Sequence, residues 1–322
     1  MILKPNDKKI RYTGRWNIAE KQAFTTASGN YMEFAFSGEC AVIGFDISNC
    51  IIPFPHVYVS VDDGPKIDVP IDRYIRISAD SGEHKVKIII KSFVEIQKRW
   101  HQPIEAKVGI LDIEADEFID LPPDTKKVIE FLGDSITEGI SIDTECENYY
   151  GDGRNMIFCG DSTATYAWLT AKELDLRPVI MGYGCLGTTS MGAGGVPVAS
   201  EAYPYACDGC PIDSSNPDFI VINHGTNDRK VDKETFKRAY YDFLKTVRSK
   251  NKNSKIISLT PFCGELYEEI HDAVSKYNEE NNDDVFYINS AGWIPPEPIH
   301  PTREGHKIVS QKLLEILKAK YF

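Results

Sequence analysis

The apolar residues of this chain follow one rhythm before Leu121-Pro122-Pro123 and another after it, and no single regular architecture satisfies both. Before the prolines, short runs rich in β-branched and aromatic residues dominate: YMEFAFS (31–37), AVIGFDI (41–47), HVYVSVD (56–62) and HKVKIIIKS (84–92). In the last of these Val86, Ile88 and Ile90 share one face, and Lys85, Lys87 and Lys91 share the other. That alternation marks a sheet with one buried face. Asp62-Asp63-Gly64-Pro65 offers residues that tolerate a tight turn between two strands. No helix of convincing length interrupts the stretch, so residues 1–123 are predicted to form a β-sandwich of the jelly-roll kind.

Beyond the prolines, apolar runs bounded by turn residues alternate with helical patterns. The runs are KVIEFL (127–132), PVIM (178–181), DFIVIN (218–223), KIISLT (255–260) and VFYI (285–288). Mostly apolar, they read as strands of a parallel sheet buried on both faces. Segments 162–175, 232–249, 264–280 and 303–319 carry helix formers at helical spacing, and in the last Val309, Leu313, Ile316 and Leu317 make one stripe. Residues 124–322 are therefore predicted to be a three-layer α/β/α domain on a five-stranded parallel sheet.

Composition narrows the choice of partners. Hydrophobic residues are 42% of the chain, and 36 Lys and Arg against 48 Asp and Glu leave a net charge of −12. So acidic a chain, without a basic run interleaved with aromatics, argues against nucleic acid as a partner. The opening MILKPNDKKIRYTGRW has no secretory pattern, and no run is apolar for the length of a bilayer. A cytoplasmic protein without membrane attachment is the expectation, and its eight cysteines are then expected as free thiols. Cys207 and Cys210 form a lone C-x-x-C in the loop CDGC, which without a second pair is read as a plain surface loop and not as a metal site.

Ligands of open α/β sheets bind at the carboxyl ends of the strands, and four features of the sequence fall there. Gly133-Asp134-Ser135 follows KVIEFL and places a hydroxyl at a sharp strand-to-helix turn. Gly182-Tyr183-Gly184-Cys185-Leu186-Gly187 follows PVIM and matches the dinucleotide pattern G-x-G-x-x-G. A loop running on to about Pro217 replaces the helix that pattern requires, so the glycines read as a loop approaching a ligand closely. Asn223-His224-Gly225-Thr226-Asn227-Asp228 follows DFIVIN and offers a side-chain amide to a developing negative charge. Glu297-Pro298-Ile299-His300-Pro301 precedes the final helix, with Thr302 as its cap, and sets a carboxylate three residues before an imidazole. His306, His56, His84, His101 and His271 carry no such pattern and read as incidental.

In order and spacing the four blocks resemble the SGNH (GDSL-type) hydrolases over residues 126–322. The resemblance implies a serine esterase with Ser135 as nucleophile and His300 as base. It further implies an oxyanion hole made by Ser135, Gly187 and Asn227, and no metal or organic cofactor. Glu297 stands where the family usually has Asp; some relatives instead orient the histidine through a backbone carbonyl. A β-sandwich, a Leu-Pro-Pro junction and an SGNH domain in that order resemble the two-domain carbohydrate esterases that remove acetyl groups from plant polysaccharides. The substrate implied is a small-molecule or oligosaccharide ester. The long loops 139–161 and 188–217 carry Tyr149, Tyr150 and Phe158, and Tyr203 and Tyr205, aromatics that either contact a sugar or pack against the N-terminal domain, and His224 is a further candidate contact. The catalytic blocks equally fit a lipase or thioesterase. A non-catalytic carbohydrate-binding protein is the reading from another class, and the oligomeric state is left open.

Overall fold

A computed structural model describes residues 1–143, 156–212 and 215–322. The first domain is an antiparallel sheet of nine strands, among the described residues, folded into a sandwich. Its centre is three long strands, Tyr31–Phe45, Tyr74–Ser92 and Val108–Ile119, with Tyr31–Phe45 paired to both of the others. The runs 31–37 and 41–47 are thus one continuous strand, whose register shifts between Gly38 and Cys40. A bulge of this kind bends a long strand, and the bend lets one sheet enclose its own core. Val108–Ile119 carries Asp112, Glu114, Asp116 and Glu117, which hide the alternation of Ile113 and Ala115 toward that core, and a register shift separates these from the buried Phe118.

Val86, Ile88 and Ile90 are fully buried inside the sandwich. The opposite face is not left to solvent: Ile89 and Lys91 are buried too, because the second domain packs there. Ser162 Oγ donates to the Ile90 carbonyl at 2.9 Å, Ser92 Oγ to the Ile157 carbonyl at 2.7 Å, and the Trp168 ring meets Tyr31 edge-on at 5.9 Å.

The second sheet is parallel and runs Arg177–Gly182, Val128–Gly133, Phe219–Asn223, Lys255–Leu259, Phe286–Ile288. Alternate residues of its strands feed two separate cores. Leu132, Ile220, Ile222 and Ile256 pack against Lys233–Lys250 and Tyr267–Asn281, whereas Ile129, Phe131, Val221 and Ile257 pack against Tyr166–Glu173 and Arg303–Tyr321. These are the three layers expected. Asp232 and Thr302 cap the two long helices, accepting from Thr235 N and Gly305 N at 3.0 and 3.3 Å. In chain order the strands are arranged 2-1-3-4-5, so the sheet switches direction between its first and third strands. A crevice opens at such a switch point.

Candidate active site

Ser135 follows the first strand of that pair and Asn227 follows the other, so the switch point brings them together. Gly133 ends its strand, and Asp134 caps the short turn Ser135–Glu138 by accepting from Ile136 N at 2.9 Å. Ser135 is the first residue of the turn, where a backbone N–H has no partner within the helix. His300 is delivered from the far side by the segment leading to the Thr302 cap. Its Nε2 lies 2.9 Å from Ser135 Oγ, hydrogen-bonding distance for a nucleophile and its base.

Asn227 lies in the turn Thr226–Asp228, and its Nδ2 donates to the Leu186 carbonyl at 3.1 Å and, over a longer 3.4 Å, to Asp134 Oδ2. The Asp134 carboxyl is wholly buried, and that burial, with the charge of Asp228 adding to it, raises its pKa to about 7. Asp228 is buried as well and gathers the loop that carries Gly187. It accepts from Thr188 N at 3.0 Å, Thr189 N at 2.8 Å and Ser190 N at 3.2 Å.

The glycines of the false dinucleotide motif make room for carboxylates of the protein itself. A Cβ on Gly187 would lie 2.4 Å from Asp228 Oδ1, and one on Gly184 would lie 1.7 Å from Glu95 Oε1. The Gly184 N–H donates to Glu138 Oε2 at 2.8 Å. A loop already occupied by its own anions is not a phosphate cradle.

Several sequence expectations need correction here. The Gly187 N–H, expected to face an oxyanion, donates to the Ser190 carbonyl at 2.9 Å and closes its own turn. Glu297 is exposed, and among the described residues no hydrogen bond joins it to His300. His224 is buried, edge-on to Phe243 at 5.4 Å, and burial lowers its pKa to about 4; it backs the loop from inside and is closed to substrate. Tyr203 is buried too, donating to Glu130 Oε2 at 2.8 Å with Arg15 over its ring at 4.7 Å. Cys207 and Cys210 pair across a two-stranded hairpin, with Cys207 inside the core, because a thiol packs as a small apolar group. Tyr149 and Tyr150 lie outside the described residues. Phe158 is half exposed and leans edge-on against His56 at 5.3 Å.

Two supporting residues went unseen in the sequence. His306, read as incidental, is buried and stacked parallel to Tyr166, and its Nδ1 accepts the Tyr166 N–H at 3.0 Å. Glu138, at the end of the nucleophile's turn, is paired with the fully buried Arg99 of the first domain.

No curated protein sequence matches the chain. Its structure is similar over nearly its whole length to a family two carbohydrate esterase from Cellvibrio japonicus, at 21% identity and a TM-score of 0.80, with 99% of this chain and 97% of that one covered. A family two carbohydrate esterase from Clostridium thermocellum, solved in complex with cellohexaose, is similar at 22% identity and a TM-score of 0.75, covering 97% and 98%. An acetyl xylan esterase from the rumen bacterium Butyrivibrio proteoclasticus is similar at 18% identity and a TM-score of 0.78, covering 99% of each chain. These likenesses establish the shared two-domain fold. The profile of the GDSL-like Lipase/Acylhydrolase family matches residues 131–308, from the strand before Ser135 to the helix after His300. The chain belongs to that family and is a carboxylic ester hydrolase.

Proposed function

We propose that this protein is a serine esterase that removes short acyl groups, acetyl above all, from sugars such as xylo-oligosaccharides. The observation that carries the chemistry is the 2.9 Å contact between Ser135 Oγ and His300 Nε2 at the switch point of the sheet. Ser135 Oγ attacks the ester carbonyl while His300 takes its proton. The oxyanion that forms is held by the Ser135 N–H and by the Asn227 amide, whose long contact to Asp134 gives way to a full negative charge because charge-assisted hydrogen bonds are the stronger ones. His300 returns the proton to the leaving alcohol. A water deprotonated by His300 then attacks the acyl-enzyme and releases the acid.

The sugar assignment is supported by the full-length likeness to solved carbohydrate esterases, one of which is an acetyl xylan esterase. The test compares kcat/KM for acetyl, butyryl and octanoyl esters of one alcohol and measures acetate release from acetylated xylo-oligosaccharides. A small acyl pocket makes the rate fall with chain length. A lipase groove makes it rise, since each buried CH₂ contributes about 0.8 kcal/mol. Octanoyl preference, or no acetate release, removes the sugar-acetyl assignment.

A further inference from the structure

Between the two domains runs a groove of about 860 Å³ whose lining includes neither Ser135 nor His300. One wall is the outer face of the sandwich, with Lys66, Lys85 and Lys87; the other is the helix Tyr166–Glu173 and its flanks, with Trp168 and Lys172. Nine Lys or Arg and five Asp or Glu line it. The rest of the chain is strongly acidic, so this excess of cations stands against the trend of the molecule.

The acids of the groove are already occupied. Glu33 lies 3.7 Å from Arg11 and 3.8 Å from Lys87, Asp63 pairs with Lys85 at 2.9 Å, and Asp175 with Lys126 at 2.5 Å. Asp124 holds Arg177 and Asp161 holds Arg303, each at 3.1 Å. Lys66 and Lys172 are left without an ion pair among the described residues; Lys66 lies over the Tyr58 ring at 4.4 Å and donates to Thr163 Oγ1 at 2.5 Å. Burial holds Lys66 below the ordinary lysine pKa against the opposing charge of Asp161, with Arg303 and Lys172 adding to the lowering; burial likewise lowers Lys87 against the charge of Glu33. Crowded, half-desolvated cations raise the energy of the empty groove, and an anion among them lowers it.

The cations come from both walls, Lys66, Lys85 and Lys87 from the sandwich and Lys172 from the helix Tyr166–Glu173 with Lys126 and Arg177 beyond it, and the half-buried indole of Trp168 belongs to the same lining. An extended ligand with spaced negative charges and flat apolar faces fits that lining. The far end of the groove shares its frame with the catalytic pair. Arg303 follows His300 closely in the chain, and Asp161 N donates to the carbonyl of Gly139, the residue that closes the Ser135 turn, at 2.9 Å.

We propose that this groove binds the carboxylates of an acidic, uronate-bearing oligosaccharide, which makes acidic sugar esters the substrate class of the enzyme. The inference rests on the sugar-esterase reading above, and an unesterified ligand separates the two. Calorimetric titration of the full chain with tetragalacturonate and with neutral cellotetraose reads the groove alone. The acidic sugar is expected to bind at least about tenfold tighter, and its affinity to fall as salt rises from about 50 to about 300 mM. Lys66→Gln/Lys172→Gln should weaken it about tenfold, and Lys245→Gln/Lys318→Gln, an equal loss of charge at positions outside the groove lining, should leave it as it was. Equal affinity for the two sugars, or unaltered binding of the acidic one by Lys66→Gln/Lys172→Gln, overturns the proposal. Selective binding of tetragalacturonate by a protein that releases no acetate from any sugar keeps the groove and removes the proposed reaction.

Discussion

The least expected residue of the site is Glu297, an acid at the family's acid position that makes no hydrogen bond to His300 among the described residues. An exposed carboxylate without a hydrogen bond to the imidazole cannot fix its tautomer. Glu297→Gln is therefore expected to keep kcat/KM within about threefold, whereas His300→Ala loses several orders of magnitude along with Ser135→Ala. Steady-state kinetics on a small acetyl ester checks both, and a loss in Glu297→Gln as deep as that of His300→Ala would restore the acid to the triad. Ser135 and His300 were legible in the sequence because each sits in a short motif whose chemistry survives translation into geometry. Whether Glu297 and His300 meet was not legible, since three residues of chain can point two side chains together or apart.

Between elements, the buried imidazole of His306 shows how the histidine that matters chemically differs from one that holds the frame. It joins the final helix to the helix Tyr166–Glu173 by accepting the Tyr166 N–H, which that helix leaves unsatisfied at its start. Burial lowers its folded pKa to about 3, and the guanidinium of Arg303 pushes the same way; unfolded, it titrates near the ordinary histidine value of 6.5. Between those values the unfolded chain binds the proton and the folded one does not. The stability it contributes is thus present above about pH 6.5 and is lost as pH falls toward 3, by up to about 1.4 kcal/mol per unit. Melting temperatures at pH 7.5 and 5 should fall further for the parent protein than for His306→Gln. Parallel losses in the two proteins would place the acid sensitivity elsewhere.

The whole molecule is tied across its domains by buried charge. Arg15 reaches Glu130 in the middle of a parallel strand at 3.0 Å, and Arg99 meets Glu138 beneath the nucleophile's turn, all four side chains being nearly inaccessible. Removing one partner leaves the other charged and dry, so Arg99→Met should cost about 3–5 kcal/mol in denaturant unfolding. Arg99→Met/Glu138→Gln, which removes both charges, should recover part of that loss. A cost below about 1 kcal/mol for Arg99→Met would mean that water reaches Glu138 and that this pair is not what ties the domains together.

The sequence by itself determined the two architectures, the five parallel strands and the Ser135–His300 pair, because period, turn residues and short motifs are local properties that no packing partner can alter. It could not show that Val108–Ile119 is a central strand, since charges on the outer face blurred its alternation. Nor could it show that Lys85 and Lys87 line an interdomain groove, or that Tyr203 and His224 are sealed inside. Those outcomes depend on what covers each face, and the covering groups come from far along the chain: Arg15 and Tyr203 answer Glu130, and Arg99 answers Glu138. A residue's type sets what it requires of its surroundings, and only the folded chain decides which distant residue supplies it.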